Sequence, residues 1–101
     1  MPKILKQDAQ EMLGNVPNEN VFRCCDGRIM TNMLELGVAL GNMSDDIFAY
    51  HVNQSKNDFT NWVRDIIKDE KLASDLLKAT SRKQACNKVA ERLVVLKKTL
   101  S

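Results

Sequence analysis

The chain has few aromatic residues, a single histidine and no long hydrophobic run. Aromatic side chains make up 5% of the 101 residues, and the only histidine is His51. No apolar run approaches the ~20 residues that span a bilayer, and the first residues turn polar too soon for a signal peptide. The three cysteines are an odd number without the spacing of a disulfide framework, which favours a reducing compartment. We therefore expect a cytoplasmic protein that does not contact membranes.

The motifs of common enzyme and metal sites are also missing. The four glycines match neither the dinucleotide-binding fingerprint nor the P-loop. There is no Cys-x-x-Cys and no second histidine, whereas structural zinc sites usually pair their ligands at short spacings. The adjacent acids Asp45-Asp46 and Asp69-Glu70 are typical of helix starts, where they interact with the positive end of the helix dipole. We therefore predict a non-enzymatic protein without a cofactor or a metal.

What remains is an ordinary globular composition, with 44% apolar and 28% charged residues. A chain of this length has room for one core. The sequence predicts a mainly α-helical fold of five or six helices, with one small β-hairpin packed on them around a single core. This single domain covers residues 1–101, with the hairpin at about 21–30 and a basic C-terminal helix at about 82–100.

Helix boundaries are indicated by capping residues and by glycine. Asn32, Ser55 and Ser81 each stand three residues before an acidic or amide side chain that can complete a capping box. Asp69 is a further cap, and Gly14 offers a left-handed helix end. The predicted helices cover residues 4–13, 33–42, 45–52, 56–68, 70–79 and 82–100.

The clearest apolar stripe lies on the predicted helix 56–68. Its apolar side chains recur at i, i+3, i+4, i+7 and i+8, and are Phe59, Trp62, Val63, Ile66 and Ile67. We expect this face to lie in the core. The predicted helix 70–79 is expected to bury Leu72, Leu76 and Leu77. The predicted helix 82–100 is expected to bury Cys86, Val89, Ala90, Leu93, Leu96 and Leu100.

A hairpin is indicated by Asp26-Gly27 between two short apolar segments. A two-residue Asp-Gly turn suits the positive φ angles that both central residues need. This turn pairs Cys24 with Ile29 and places both side chains on the face toward the helices. Because strand side chains alternate, Cys25 then points to the opposite face.

The outer face of the helix 56–68 carries polar residues that packing does not explain. Asparagine is a mediocre helix former, and an exposed position chosen for stability would more often hold Glu, Lys or Ala. We predict that this face and the residues before it bind a protein partner or a second copy of the chain. The residues are His51, Asn53, Asn57, Asn61 and Arg64. The alternative is an ordinary solvated helix face.

Positive charge is concentrated at the C-terminal end. Residues 82–101 carry six basic side chains and one acidic one, whereas residues 1–81 carry nine basic and twelve acidic ones. Nucleic-acid binding is therefore an alternative function, in which basic side chains contact phosphates. The candidate residues are Arg23, Arg28, Lys83, Lys88, Arg92 and Lys97. No aromatic residue lies among the charges of the last helix, and a solvated amphipathic helix explains them almost as well.

A remote alternative is an enzyme or metal site at Cys25, Asp26 and His51. Cys25 is the better thiol candidate, because neighbouring arginines favour the thiolate. A metal site would combine His51 with Cys24 or Cys25, Cys86 and a carboxylate. The simpler interpretation is that His51 stabilises a helix C-terminus or hydrogen-bonds a nearby turn.

The chain also resembles a family of small archaeal and bacterial domains of unknown function. The resemblance covers most of residues 12–95 and is most specific in His51-Val52-Asn53, Lys56-Asn57-Asp58-Phe59 and Asn61-Trp62-Val63-Arg64-Asp65. It extends to Phe22-Arg23-Cys24-Cys25-Asp26-Gly27 and Leu34-Glu35-Leu36. The resemblance implies a single helical fold and an accessory or adaptor role. The family pattern has one cysteine before the Asp-Gly, so the second cysteine here argues slightly against cysteine chemistry.

Overall fold

Helices form where the sequence combines capping side chains with apolar residues at helical spacing. The structure, a computed structural model, describes residues 4–101, so the first three residues of the predicted domain lie outside the described range. The mainly helical prediction is confirmed, because the chain is 67% helical with six helices and one antiparallel hairpin in the described part. The elements are α1 (Lys6–Leu13), β1 (Phe22–Arg23), β2 (Ile29–Met30), α2 (Met33–Asn42), α3 (Asp45–His51), α4 (Asp58–Trp62), α5 (Glu70–Lys78) and α6 (Arg82–Leu100). None of the helices among residues 4–101 has both the length and the apolar composition to cross a bilayer.

The core is centred on the contact between α2 and α6. Helix α6 also packs against α1 and α5, so it touches most of the other long elements. Leu36 and Leu40 of α2 and Val89 and Leu96 of α6 are fully buried. The two helices approach closely at Gly37, where an added Cβ would lie 3.1 Å from Cγ1 of Val89. This contact follows directly from the helical spacing of apolar residues in both segments.

The apolar stripe predicted on the helix after residue 56 is confirmed. Phe59, Trp62, Val63 and Ile67 are buried, and Ile66 packs against them from a half-buried position. This stripe closes the core at the end of the molecule that carries the hairpin, since Phe59 and Trp62 both contact the ring of Phe22 in β1.

Two predictions of inward side chains on the last two helices are wrong. Leu77 is 65% exposed, and Ala90 is also exposed. Helix α5 buries Leu72, Ala73 and Leu76, and Leu77 points about 100° away from its buried neighbour because each helical residue turns by that angle. The same reason applies to Ala90, which directly follows a buried residue of α6.

Side-chain caps fix several helix starts as predicted. The side-chain oxygens of Asn32, Asp69 and Ser81 accept backbone N–H groups three residues on, at 2.8, 3.1 and 3.1 Å. The predicted left-handed end of α1 is wrong, because Gly14 has a φ of −75°. Its N–H instead donates to the Glu11 carbonyl at 3.3 Å.

The predicted helix start at Ser55 is wrong. Asn57 is the cap of α4, and its Oδ1 accepts the Thr60 N–H at 2.9 Å. The preceding turn is held by Asn53, whose side chain accepts the Ser55 N–H at 2.9 Å. Because Ser55 is committed to this turn, the helix begins only after Asn57.

A π-helical turn, Val63–Ile67, extends α4 at its C-terminal end. The N–H of Lys68 donates to the Val63 carbonyl five residues earlier, at 2.7 Å. Lys68 then ends the helix with a φ of 68°, in the left-handed region that favours glycine. Since Asn57 lies outside the helix and the π turn shifts the side chains that follow, the predicted polar row from Asn57 to Arg64 is not a regular helix face.

The hairpin pairs one residue away from the predicted register. Strands β1 and β2 pair Phe22 with Met30, and the Cys24 N–H donates to the Arg28 carbonyl at 2.9 Å. The turn therefore has three residues instead of two. Its last residue, Gly27, has a φ of 94°, as expected when a type I turn is followed by a left-handed residue.

This shift exchanges the two faces of β2. The predicted pairing of Cys24 with Ile29 is wrong, because a slip of one residue turns every side chain to the other face. Met30 is buried, whereas Ile29 is 53% exposed. Arg28 reaches back to α2 and donates to the Ala39 carbonyl at 3.3 Å. The register thus holds Arg28 at the C-terminal end of α2 and leaves Ile29 on the surface.

Candidate functional site

The only histidine lies in an aromatic enclosure between the hairpin and two helices. His51 is the last residue of α3 and is 4% exposed. The rings of Phe22, Tyr50 and Phe59 surround it, with centroids 5.2, 5.0 and 5.3 Å from its own. A buried imidazole needs hydrogen-bond partners on both nitrogens.

Both ring nitrogens of His51 have partners. Nδ1 lies 2.9 Å from Oδ2 of Asp58, and Nε2 accepts the backbone N–H of Cys25 at 3.1 Å. An amide N–H can only donate, so Nε2 carries the lone pair and Nδ1 carries the proton. The prediction that His51 hydrogen-bonds a nearby turn is confirmed, because Cys25 belongs to the hairpin turn.

Asp58 supports His51 and was missed as a site residue. It lies at the first turn of α4, and its Oδ2 also accepts a hydrogen bond from Nζ of Lys56 at 2.9 Å. Burial alone would raise the pKa of Asp58, but the hydrogen bonds from His51 and Lys56 lower it below its ordinary value. His51 and Asp58 are only seven residues apart in the sequence, but they lie in different helices, so the sequence pattern gave no reason to pair them.

The two adjacent cysteines lie beside the same imidazole. Sγ of Cys24 is 3.5 Å from Nε2 of His51, and Sγ of Cys24, Sγ of Cys25 and Nε2 all lie within 4.8 Å of one another. The prediction that the cysteines point to opposite faces is wrong, because Cys25 belongs to the turn, where strand alternation no longer applies. Cys86, by contrast, donates to the Gly37 carbonyl at 3.6 Å in the α2–α6 contact.

The two thiols differ in environment. Cys24 is buried, and burial raises the pKa of its thiol. Cys25 is exposed. Arg28 does not hold a thiolate there, because its guanidinium pairs with Asp26 at 3.0 Å and donates to carbonyls of α2.

The five residues predicted to bind a partner do not form one open face. His51 is buried and Asn57 is half-buried, with its side-chain NH₂ donating to the carbonyl of Leu76 at 3.4 Å. Arg64 and Asn61 are exposed and joined by a 3.2 Å hydrogen bond. The fifth residue, Asn53, is exposed and caps its own turn. Partner binding by these five residues stays a prediction, and the surface it can use is limited to Asn53, Asn61 and Arg64.

The six basic residues of the nucleic-acid prediction do not form one continuous row. Arg92 donates two hydrogen bonds to the buried carboxylate of Asp69, at 2.7 and 2.9 Å, and Lys88 lies 3.7 Å from a carboxylate oxygen of its own helix. At about 100° per residue, these two lie on the opposite side of α6 from the other two helical candidates. The exposed members of the set are Arg23, Lys83 and Lys97. Nucleic-acid binding therefore stays a prediction.

An apolar groove that the sequence did not predict lies between β2 and α2. Its volume is about 380 Å³. Ile29, Leu34 and Val38 line it and are 53%, 52% and 56% exposed. Large exposed apolar side chains that share one concave surface are characteristic of interaction sites. The sequence did not predict this groove because the predicted hairpin register placed Ile29 in the core.

Arg28 and Glu35, of opposite charge, stand at the two ends of this groove, and Arg28 also pairs with Asp26 at 3.0 Å. Arg28 is anchored at the C-terminal end of α2 by hydrogen bonds to the Ala39 and Asn42 carbonyls, at 3.3 and 3.5 Å. Glu35 lies at the N-terminal end, where its carboxylate accepts the Thr31 N–H at 2.6 Å. Each charge is therefore fixed in position along the groove.

Comparison with protein-family models, with curated proteins and with solved structures finds no match to this chain. The resemblance to small prokaryotic domains stays a prediction. The function must therefore be argued from the geometry of the described residues.

Proposed function

We propose that this chain is a small non-enzymatic interaction module that associates with a second copy of itself through the groove between β2 and α2. The observation that carries the proposal is the contiguous exposure of Ile29, Leu34 and Val38, each more than half exposed. Burying apolar surface contributes about 25 cal/mol per Å², so covering this groove would be favourable.

The charges of the groove favour a second copy as the occupant. A two-fold axis through the groove would bring the Arg28 end of one copy to the Glu35 end of the other, twice in the same interface. Such a self-complementary patch is what a two-fold dimer requires. The approach of Glu35 to Arg28, which also pairs with Asp26 of its own copy, would occur twice and set the register, while the apolar side chains between them would supply most of the affinity.

The environment of His51 supports the non-enzymatic part of the proposal. Its Nε2 lone pair accepts the Cys25 N–H at 3.1 Å, so proton transfer from a thiol to Nε2 would have to displace this hydrogen bond. The nearer thiol, Cys24, is buried, and burial raises its pKa, which disfavours the nucleophilic thiolate.

The test is the oligomeric state of the full chain, measured by sedimentation equilibrium over a wide range of protein concentration. The wild-type chain should dimerise, and Val38→Glu should be monomeric throughout because it places a charge in the apolar groove. The matched control is Val94→Glu, at a valine that is 53% exposed on α6 and does not line the groove. It should dimerise like the wild type. A monomeric wild type at the highest concentration, or dissociation by Val94→Glu alone, overturns the proposal.

A charge exchange tests the two-fold arrangement itself. Glu35→Lys places two positive groups at each end of the dimer, and Arg28→Glu places two negative ones. Each variant should dimerise more weakly than the wild type, whereas an equimolar mixture should form a heterodimer in which both charge pairs are restored. Circular dichroism checks that both variants fold. If the mixture is as weak as the separate variants, the proposed arrangement is wrong.

A further inference from the structure

We propose that Cys24, Cys25 and His51 form a binding site for a zinc ion, with two thiolates, one imidazole nitrogen and one open coordination position. The site is separate from the groove and does not depend on self-association. Two thiolates and an imidazole are a ligand set that suits zinc among the common divalent cations.

The distance between Sγ of Cys24 and Nε2 of His51 already fits a zinc ion. Zinc binds sulfur at about 2.3 Å and imidazole nitrogen at about 2.0–2.1 Å, so a tetrahedral ion holds these atoms about 3.6 Å apart. Sγ of Cys24 and Nε2 of His51 are 3.5 Å apart. These residues come from the hairpin and from the end of α3, so the tertiary fold itself sets this distance.

The third ligand atom requires only a small movement. The three ligand atoms lie within 4.8 Å of one another, whereas two sulfurs on one tetrahedral zinc are about 3.8 Å apart. Cys25 is exposed in the turn, so rotation of its side chain, with a shift of the turn that releases its N–H from Nε2, can close this gap without moving the core. The same exposure gives the ion a path from solvent and leaves the fourth position accessible to water.

The imidazole is oriented as in known zinc sites. Metal-bound histidines usually donate their second ring N–H to a carboxylate, which fixes the tautomer and the ring plane. Nδ1 of His51 has this partner in Asp58, at 2.9 Å. Lys56 in turn holds the same carboxylate oxygen, at 2.9 Å. Asp58 would therefore act as a positioning residue for the site.

Binding exchanges one set of bonds for another. Zinc takes the Nε2 lone pair that now accepts the Cys25 N–H at 3.1 Å, so this hydrogen bond breaks. Each thiol loses its proton to solvent as its sulfur binds the ion. In balance, the hydrogen bond to Nε2 and two S–H bonds break, and the hydrated ion releases the waters that the three protein ligands replace. Two Zn–S bonds and one Zn–N bond form, the two protons go to solvent, and water solvates the freed Cys25 N–H.

The experiment titrates the metal-free full chain with zinc by calorimetry, and with cobalt as a spectroscopic probe of thiolate ligation. One equivalent should bind per chain, and cobalt should give a sulfur-to-metal charge-transfer band and the visible bands of a tetrahedral site. Cys25→Ser should weaken zinc binding by at least about 100-fold, since it removes a ligand. Cys86→Ser is the matched control, because it removes a thiol outside the cluster, and it should bind as the wild type does.

Further measurements separate coordination from folding. Zinc should raise the melting temperature of the wild type and of Cys86→Ser but not that of Cys25→Ser. Asp58→Asn should weaken binding by about 10–100-fold while keeping the thiolate band. The absence of saturable binding or of the thiolate band, or wild-type affinity in Cys25→Ser, overturns the proposal. Val38→Glu should bind zinc normally, which keeps the outcome independent of dimerisation.

Discussion

The contact between α2 and α6 differs from the contacts that join the hairpin to α3 and α4, and α4 to α5. The first is an apolar contact in which Leu36, Leu40 and Val89 are fully buried and Gly37 allows close approach. The second set combines the aromatic contacts of Phe22 with polar groups that join distant parts of the chain, such as the hydrogen bond from Nε1 of Trp62 to the Asn20 carbonyl at 2.8 Å. The difference shows that apolar periodicity fixes which helices pack, while specific aromatic and polar contacts fix how the remaining elements are joined to them.

The largest effect is expected at the buried ion pair between the start of α5 and α6. Asp69 is fully buried, caps α5 and accepts two hydrogen bonds from Arg92. Asp69→Ala should lower the free energy of unfolding by about 3–5 kcal/mol, because it leaves the half-buried guanidinium of Arg92 without its partner and removes the cap of α5. Urea denaturation measures this change.

Two further variants test this prediction even if Asp69→Ala does not fold. Asp69→Asn retains a capping oxygen but not the charge, and should show a large loss even if the alanine variant does not fold. Lys71→Ala removes the exposed pair with Asp75, whose atoms are 2.9 Å apart, and should cost no more than about 0.5 kcal/mol. Similar losses for the two pairs would contradict the expectation that the buried carboxylate contributes more to stability than the exposed pair does.

The next largest effect is expected at Asn57, which joins α4 to α5. Asn57→Ala removes the cap on the Thr60 N–H and the 3.4 Å hydrogen bond to the Leu76 carbonyl. The expected loss in the free energy of unfolding is about 1–2 kcal/mol. Asn61→Ala is the matched control, because Asn61 is exposed and contacts only a surface arginine, and it should change stability by no more than about 0.5 kcal/mol. Equal losses would show that Asn57 contributes no more to stability than the exposed Asn61 does.

Smaller changes in the free energy of unfolding, of opposite sign, are expected when Gly37 and Gly41 of α2 are replaced by alanine. Gly37→Ala brings a Cβ to 3.1 Å from Cγ1 of the fully buried Val89, and overpacking should outweigh the gain in helix propensity by about 1 kcal/mol. Gly41→Ala meets only Sγ of Cys86 at 3.6 Å, so it should stabilise the protein by about 0.5–1 kcal/mol. Thermal unfolding compares the two variants. Stabilisation by both would show that the α2–α6 contact is looser than its geometry indicates.

The smallest effect is expected for the exposed polar contact at the start of α2. The hydroxyl and N–H of Thr31 hydrogen-bond the carboxylate of Glu35 and lower its pKa below the ordinary value of 4.5. A lowered carboxylate pKa contributes stability above that ordinary value, and this contribution is lost as the pH falls through the lowered pKa. The stability difference between the wild type and Glu35→Gln should therefore shrink as the pH falls below the ordinary pKa of 4.5. A difference that is constant with pH would contradict this assignment.

The helices and their caps were largely predictable, because both depend on residues close together in the sequence. Asn32, Asp69 and Ser81 cap helices through N–H groups three residues away. The start at Asn57 was not predictable, since both Ser55 and Asn57 have suitable cap chemistry and the turn around Asn53 decided between them. Where two nearby residues can both cap a helix, the backbone conformation around them decides which one does.

The candidate sites were less predictable than the helices. The hairpin turn could contain two or three residues, and the choice depends on whether Met30 or Ile29 fits the core. Only Met30 is buried, and this register exposes the groove and holds Arg28 at one end of it. The partner-binding and nucleic-acid residues were chosen as exposed polar groups, but Asn57 and Arg92 are occupied by contacts inside the protein.

The sequence by itself determined a mainly helical domain with its apolar stripes, because helical spacing and capping act over one or two turns of chain. Only the tertiary structure decided that Cys24, Cys25 and His51 meet, across separations of 26 and 27 residues. It also decided that Ile29 stays on the surface. Both outcomes depend on how the hairpin packs on the helices, and contacts of that kind leave no periodic pattern in the sequence.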